Sequence, residues 1–166
     1  MIYSCTIETP MGQLLAAVEE NSLIGLWFSS QKHYPKETET WISKPDHLLF
    51  NELKNWLDKY FKGEDCEIKF PMAPKGTDFQ KIVWKFLLEI PFGKTTTYGT
   101  IAKKVATAMG RESMSAQAVG GAVGKNPISI LIPCHRVIGA DKNLTGYDGG
   151  LDKKEILLSV EKVIRL

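Results

Sequence analysis

The stretch NPISILIPCHRVIG, residues 126–139, decides how this 166-residue chain is read. Its apolar run over 129–132 predicts a strand-like segment, closed by Pro133, that presents Cys134 with His135 and Arg136 directly behind it. A nucleophile must be held rigidly and activated by a neighbour. A free cysteine, with a pKa of about 8.5, is only about a tenth thiolate or less at neutral pH, so an attacking thiol needs a base or a positive field. His135 and Arg136 are the local candidates. Consecutive side chains of an extended segment point to opposite faces, so His135 should reach the sulfur through a bend or a bridging water. An acid from elsewhere in the chain should orient the imidazole. A Cys-His pair in isolation also fits a buried thiol beside a surface histidine, and the surroundings must decide.

Upstream, Thr77 is placed to cap a helix in which Phe79, Ile82, Val83, Phe86 and Leu87 recur at spacings of three and four, ending at Pro91-Phe92-Gly93. The threonines 95–97 precede a second helix over 98–109, closed by Gly110. Ser113 or Ser115 then caps a short third helix, 117–124, made almost wholly of Ala, Val and Gly. Two helices joined by a turn are the pattern of a helix-turn-helix. Gly120, Gly121 and Gly124 each cost about 1 kcal/mol relative to alanine in a helix, but they let backbone approach DNA or a packed neighbour closely. Downstream, residues 151–164 read as a final amphipathic helix.

The N-terminal half differs in character. Residues 2–8, 13–18 and 23–28 read as short strands of an antiparallel meander, with a turn at Pro10-Met11-Gly12. Residues 31–46, interrupted by Pro35 and Pro45, read as a polar surface loop, and Leu48, Leu49, Leu53, Trp56, Leu57, Tyr60 and Phe61 as a helix stopped by Gly63. Residues 66–76, with Pro71 and Pro74, should run extended between the halves. The pattern predicts an α+β chain of two domains, 1–76 and 77–166: a small antiparallel sheet with a helix, then a mostly helical domain carrying the helix-turn-helix and the cysteine loop. Lys and Arg number 8 against 11 Asp and Glu through Gly76, and 13 against 8 beyond it. The basic charge therefore sits in the C-terminal half, a weak nucleic-acid footprint. Trp27, Trp41, Trp56 and Trp84 read as core or boundary residues, since none adjoins a basic cluster. No apolar stretch is long enough to span a membrane, and no charged-then-apolar leader precedes the first strand. Three cysteines, Cys5, Cys66 and Cys134, show neither CxxC spacing nor a disulfide framework. A cytoplasmic protein with free thiols is expected, without cofactor. Cys5, Cys66, His33 and His47 match no zinc spacing, so no metal is expected either.

Taken together, PCHRV, the NPISILI before it and the TGYDGG about ten residues later resemble the O6-alkylguanine-DNA alkyltransferase family, over about 77–163. The N-terminal part is similar in length and strand-helix order only. The resemblance implies a ribonuclease-H-like N-terminal domain and a winged-helix-like C-terminal one. It implies that Cys134 takes the alkyl group from O6 of guanine in a single, irreversible displacement. His135 and Glu161, joined through a water, would draw off the thiol proton. Asn126 would brace the loop, and Tyr98 would press on the target phosphate and assist proton transfer to guanine. The helix bearing Gln117, Ala118, Gly120 and Gly121 would enter the minor groove of double-stranded DNA and the damaged base would be swung out, O4-alkylthymine being a further candidate substrate. Arg136 joins the expected DNA-contacting residues, and Val137, Tyr147, Asp148 and Gly149 the pocket walls. The protein would act as a monomer.

Two departures stand out. Gln117 occupies the place of an arginine that fills the gap left by the extruded base in many members, and Asp148 replaces a small residue. Two rivals from other classes remain: a cysteine hydrolase using Cys134 and His135, which would need an oxyanion hole and turnover, and a helix-turn-helix regulator, which would need more base-reading side chains than Gln117 alone.

Overall fold

The computed structural model describes every residue except Lys142, Asn143, Thr145, Asp148 and Gly149. The chain divides into two compact units, residues 1–75 with 127–129, and residues 76–126 with 130–166. The division falls between Lys75 and Gly76, and Pro127–Ser129 of the NPIS motif belong to the N-terminal unit.

In the N-terminal unit, β1 (Ile2–Thr9), β2 (Gly12–Glu19) and β3 (Ser22–Phe28) form the antiparallel meander. Gly12 at φ +100° serves the first turn, and Glu20 and Asn21, both at positive φ, make the second a tight reversal suited to strand twist. The stretch read as a surface loop contributes a two-residue strand, β4 (Ile42–Ser43), parallel to β1, so the sheet order is β3-β2-β1-β4 and the sheet is not purely antiparallel. Two residues carry no periodicity, and pairing with Tyr3 and Ser4 alone makes them a strand. Helix α1 (Leu48–Phe61) buries Leu49, Phe50, Leu53, Leu57 and Tyr60, and its first turn is capped by His47 Nδ1, which accepts from Leu49 N. Trp27, Ile24 and Ala17 form a cluster against which Ile2, Leu15, Tyr34 and Trp41 pack.

The outer edge of β3 is not left open. Leu23 exchanges hydrogen bonds with Pro71 O and Ala73 N, and Leu26 does so with Pro127 O and Ser129 N. Covering an edge strand in this way removes a template for unwanted pairing. Gln31, almost fully buried, locks the same edge: its Oε1 accepts from Phe28 N and from Ser129 Oγ.

In the C-terminal unit, α2 (Asp78–Leu87) starts with a complete capping box between Thr77 and Gln80. The first helix of the expected pair, α3 (Tyr98–Ala108), is capped by Thr97, and the second, α4 (Ala116–Gly124), by Ser115. The Trp84 indole N–H donates to Ala122 O, fixing α4 against α2. Residues Thr96–Thr97 (β5) and Val137–Ile138 (β6) pair in parallel. Helix α5 (Leu151–Val160) ends before Ile164, because Lys162 adopts φ +63° and leaves the helical path just after Glu161.

The apolar run at 129–132 is a series of turns and no strand. Ile130 sits at φ +71°, a conformation that costs a β-branched residue energy, and its side chain is nearly fully buried. The conformation goes against the local preference of the residue and coincides with burial of its sec-butyl side chain.

Gly25 on β3 faces the Trp27 indole so closely that an added Cβ would lie 1.8 Å from Cη2. Gly25→Ala should therefore force a buried ring to shift and lower stability by about 1–3 kcal/mol. Denaturant unfolding monitored by tryptophan fluorescence measures this, and wild-type stability would contradict it.

Candidate active site

Cys134, His135 and Arg136 form one turn of 3-10 helix. The bend that an extended chain lacks is therefore built into the motif: Cys134 N donates to Ile132 O, and Arg136 N to Pro133 O. All three side chains are buried, and Cys134 retains 5% of its surface. Asn126, just past the end of α4, donates from Nδ2 to Ile132 O at 2.8 Å and to Cys134 Sγ at 3.4 Å. One amide thus sets both the approach of the chain to the cysteine and the environment of its sulfur.

His135 Nε2 lies 2.5 Å from Glu161 Oε2. The water expected between them is not needed, because Glu161, as the residue that ends α5, brings its carboxylate to the ring. Arg136 corrects a second expectation. Its guanidinium does not face outward: Nε donates to Glu161 Oε1 at 2.8 Å, Nη2 to Oε2 at 3.2 Å and Nη1 to Ile90 O at 2.7 Å. Gly93 N adds a further bond to Glu161 Oε1.

Burial by itself would push the Glu161 carboxyl up, but the bonds from His135, Arg136 and Gly93 overcome it and hold the group well below the ordinary carboxylate value. For His135, burial disfavours the imidazolium more than Glu161 favours it, and the cations of Arg136 and Lys154 act in the same direction as burial. The balance favours the neutral ring. With Nε2–H directed at an anionic carboxylate, the lone pair belongs to Nδ1.

Lys154 is a buried charge at the site that the sequence does not mark. It lies on α5 with no exposed surface, and Nζ donates to Val137 O at 2.7 Å and to Gly146 O at 3.2 Å. Burial brings its pKa down to about 8, while the Cys134 sulfur favours the charged form. A lysine within a polar helix pattern reads as solvated, and no sequence signal marks it. Val137, expected as a pocket wall, has its side chain fully buried and offers its carbonyl. Tyr147 is half-buried, while Asp148 and Gly149 lie outside the described residues.

On α4, Gln117, Ala118 and Gly121 are exposed along one face, while Val119, Ala122 and Val123 point inward. Gly120 is half-buried, and a Cβ there would stand 3.8 Å from the Tyr98 ring. Tyr98 begins α3, directly after the β5 residues that pair with β6. Three of the four residues weighed for zinc have the following surroundings. Cys5 is buried in β1 with its thiol pushed up to about 11 by desolvation, His47 caps α1, and Cys66 O accepts the Trp56 indole N–H.

The lowered Glu161 carboxyl has a consequence for acid stability. A carboxylate with a folded pKa below its unfolded one contributes stability that is present above the ordinary value of 4.5 and is lost as pH falls through the lowered value. Glu161→Gln, which leaves the Arg136 cation buried without its counter-charge, should cost about 3–5 kcal/mol at neutral pH. The variant should then lose less than the wild type between pH 5 and 2. Parallel acid profiles in urea titrations would contradict this.

Residues 78–163 match the 6-O-methylguanine DNA methyltransferase DNA-binding domain, and residues 2–74 match the ribonuclease-like domain of the same name. A methylated-DNA–protein-cysteine methyltransferase of Methanosarcina mazei is 43% identical over 97% of this chain and 98% of its own. Its namesake in Mycobacterium tuberculosis is 44% identical over 98% and 93%. The crystal structure of M. tuberculosis OGT in complex with DNA superposes with a TM-score of 0.86 at 41% identity, covering 96% of this chain and 92% of that one. A Methanococcus jannaschii O6-methylguanine DNA methyltransferase gives 0.67 at 26%, over 98% and 95%. The chain belongs to the 6-O-methylguanine DNA methyltransferase family, proteins that repair DNA by transferring an alkyl group from the damaged base to one of their own cysteines.

Proposed function

We propose that Cys134 is the acceptor, activated by His135 with Glu161 behind it. The observation that carries this reading is the convergence of Asn126 and the His135–Glu161 pair on a single 3-10 turn. A neutral imidazole with its Nε2–H fixed on a carboxylate takes the thiol proton at Nδ1, directly or through a water. The thiolate then forms an S–C bond to the alkyl carbon as the C–O6 bond breaks. The electron pair of that bond stays with guanine, and one proton neutralises the leaving base. The product thioether has no leaving group that would regenerate the thiol, so each molecule acts once. Lys154 favours the thiolate through its charge and ties the segment after Cys134 to Gly146, next to Tyr147.

The partner is double-stranded DNA carrying O6-alkylguanine, with O4-alkylthymine a second candidate base, entered through the minor groove by the exposed face of α4. Three features support this reading: the small residues Ala118 and Gly121 on that face, the basic balance of the C-terminal half, and the DNA complex of the M. tuberculosis relative. A base inside the stack is out of reach of a buried thiol and must be flipped out. Gln117, exposed at the start of α4, fills the gap left in the duplex. Tyr98, whose ring lies beside Gly120 and which directly follows the strand paired with β6, serves the phosphate and the leaving base. The protein acts as a monomer in the reducing cytoplasm, where its thiols stay free.

Incubation with duplex DNA holding one labelled O6-methylguanine should add one methyl mass to the Cys134 peptide and stop at one equivalent. Cys134→Ala should abolish transfer with DNA affinity changed by no more than about a few fold, and turnover beyond one equivalent would instead indicate a hydrolase. Gln117→Gly should slow transfer from duplex more than from free O6-alkylguanine, which needs no flipping. Equal slowing would make Gln117 a structural residue of α4.

A further inference from the structure

Arg136 is the one member of the Cys134-His135-Arg136 turn to which the proposed mechanism gives no task. Its guanidinium is almost entirely withdrawn from solvent, with 9% of the residue exposed. It grips both Glu161 oxygens in a fork and holds Ile90 O with its remaining arm, while the Phe92 ring lies 5.9 Å away. The same carboxylate takes His135 on Oε2 and Gly93 on Oε1. A carboxylate bonded to one imidazole can pivot about its own stem. A planar, two-pronged donor fixes its plane as a single lysine charge cannot.

We propose that Arg136 is a positioning residue of the transfer reaction: it fixes the Glu161 carboxylate, and through it the His135 ring, for removal of the Cys134 proton, and it does not contact DNA. The inference rests on the reading of Cys134 as acceptor. The charges facing His135 are Glu161 from the end of α5, Arg136 from its own turn and Lys154 from α5, with the Cys134 sulfur beside them. The thiol proton moves to the imidazole, Glu161 keeps its charge because Arg136 and Gly93 hold it anionic, and the imidazolium proton afterwards offsets the charge left on guanine. Without Arg136, Glu161 would draw His135 toward imidazolium, which has no lone pair to accept the proton.

The test uses the full-length protein and its Arg136→Met and Arg136→Lys variants. Single-turnover rates are measured from pH 5 to 9 on duplex O6-methylguanine and on free O6-alkylguanine base, with DNA affinity measured in parallel. Arg136→Met should slow both substrates alike at neutral pH, on the order of a hundredfold for a misplaced group. The acid limb of its rate profile should move to higher pH, with DNA affinity within about a few fold. Arg136→Lys, which keeps the charge and loses the fork, should bring back the acid limb but only part of the rate. A loss confined to duplex DNA, with the salt slope of binding reduced by about one, would overturn the proposal in favour of a phosphate contact. An unmoved acid limb in Arg136→Met would overturn it in favour of a purely structural ion pair. Should Arg136→Met fail to fold, wild-type rates for Arg136→Lys on both substrates would overturn the role of the fork. If the wild-type Cys134 peptide gains no alkyl mass, the acceptor reading fails first, and that result is distinct from all of these.

Discussion

A carboxylate shut away from water stays ionised only where donors surround it. Glu161 meets that condition with four: His135, both nearer arms of Arg136 and Gly93 N. These partners come from the cysteine turn and from the turn that follows α2, while the carboxylate itself ends α5. Removing any one would leave a buried charge short of a partner, which is far costlier than losing a surface ion pair. The positions of three chain segments are therefore tied to one side chain, and the chemistry proposed for Cys134 would depend on it because the same carboxylate orients His135.

Around this centre the C-terminal unit uses backbone carbonyls as a second set of anchors. Lys154 spends its ammonium on Val137 O and Gly146 O, Arg136 takes Ile90 O, Asn126 takes Ile132 O and Trp84 takes Ala122 O. Each bond joins segments that are distant in sequence or would otherwise turn freely. Asn126 has a special place among them, since it closes α4 and also contacts the Cys134 sulfur. One short side chain thus joins the end of α4 to the thiol. In a family whose members repair DNA, that link connects the helix proposed to face DNA to the sulfur proposed as acceptor.

Much was legible in the sequence because local physics determines it. The meander strands follow from period-two alternation, α1 and α2 from apolar spacing, and the starts of α2, α3 and α4 from Thr77, Thr97 and Ser115, whose hydroxyls satisfy the first free N–H groups. Cys134 with His135 stood out because the motif is contiguous, whereas Asn126 and Glu161 were singled out only by the family resemblance, since no local pattern links them to the cysteine. The misreadings have one cause in common. Residues 129–132 have the composition of a strand, yet Ile130 takes a left-handed conformation with its side chain buried, and β4 exists only because β1 offers it a partner.

By itself, then, the sequence determined most of the element order, the division between a sheet-bearing and a helical half, and the family. Only the tertiary structure decided which charges face inward. Arg136 and Lys154 have the side chains of surface residues, and nothing in their neighbours announces otherwise. Their orientation depends on acceptors, Glu161 and the carbonyls of Ile90, Val137 and Gly146, that the folded chain brings close and the linear chain does not. A buried cation is tolerated only where such acceptors converge, so its place is a property of the assembled unit and not of the local sequence.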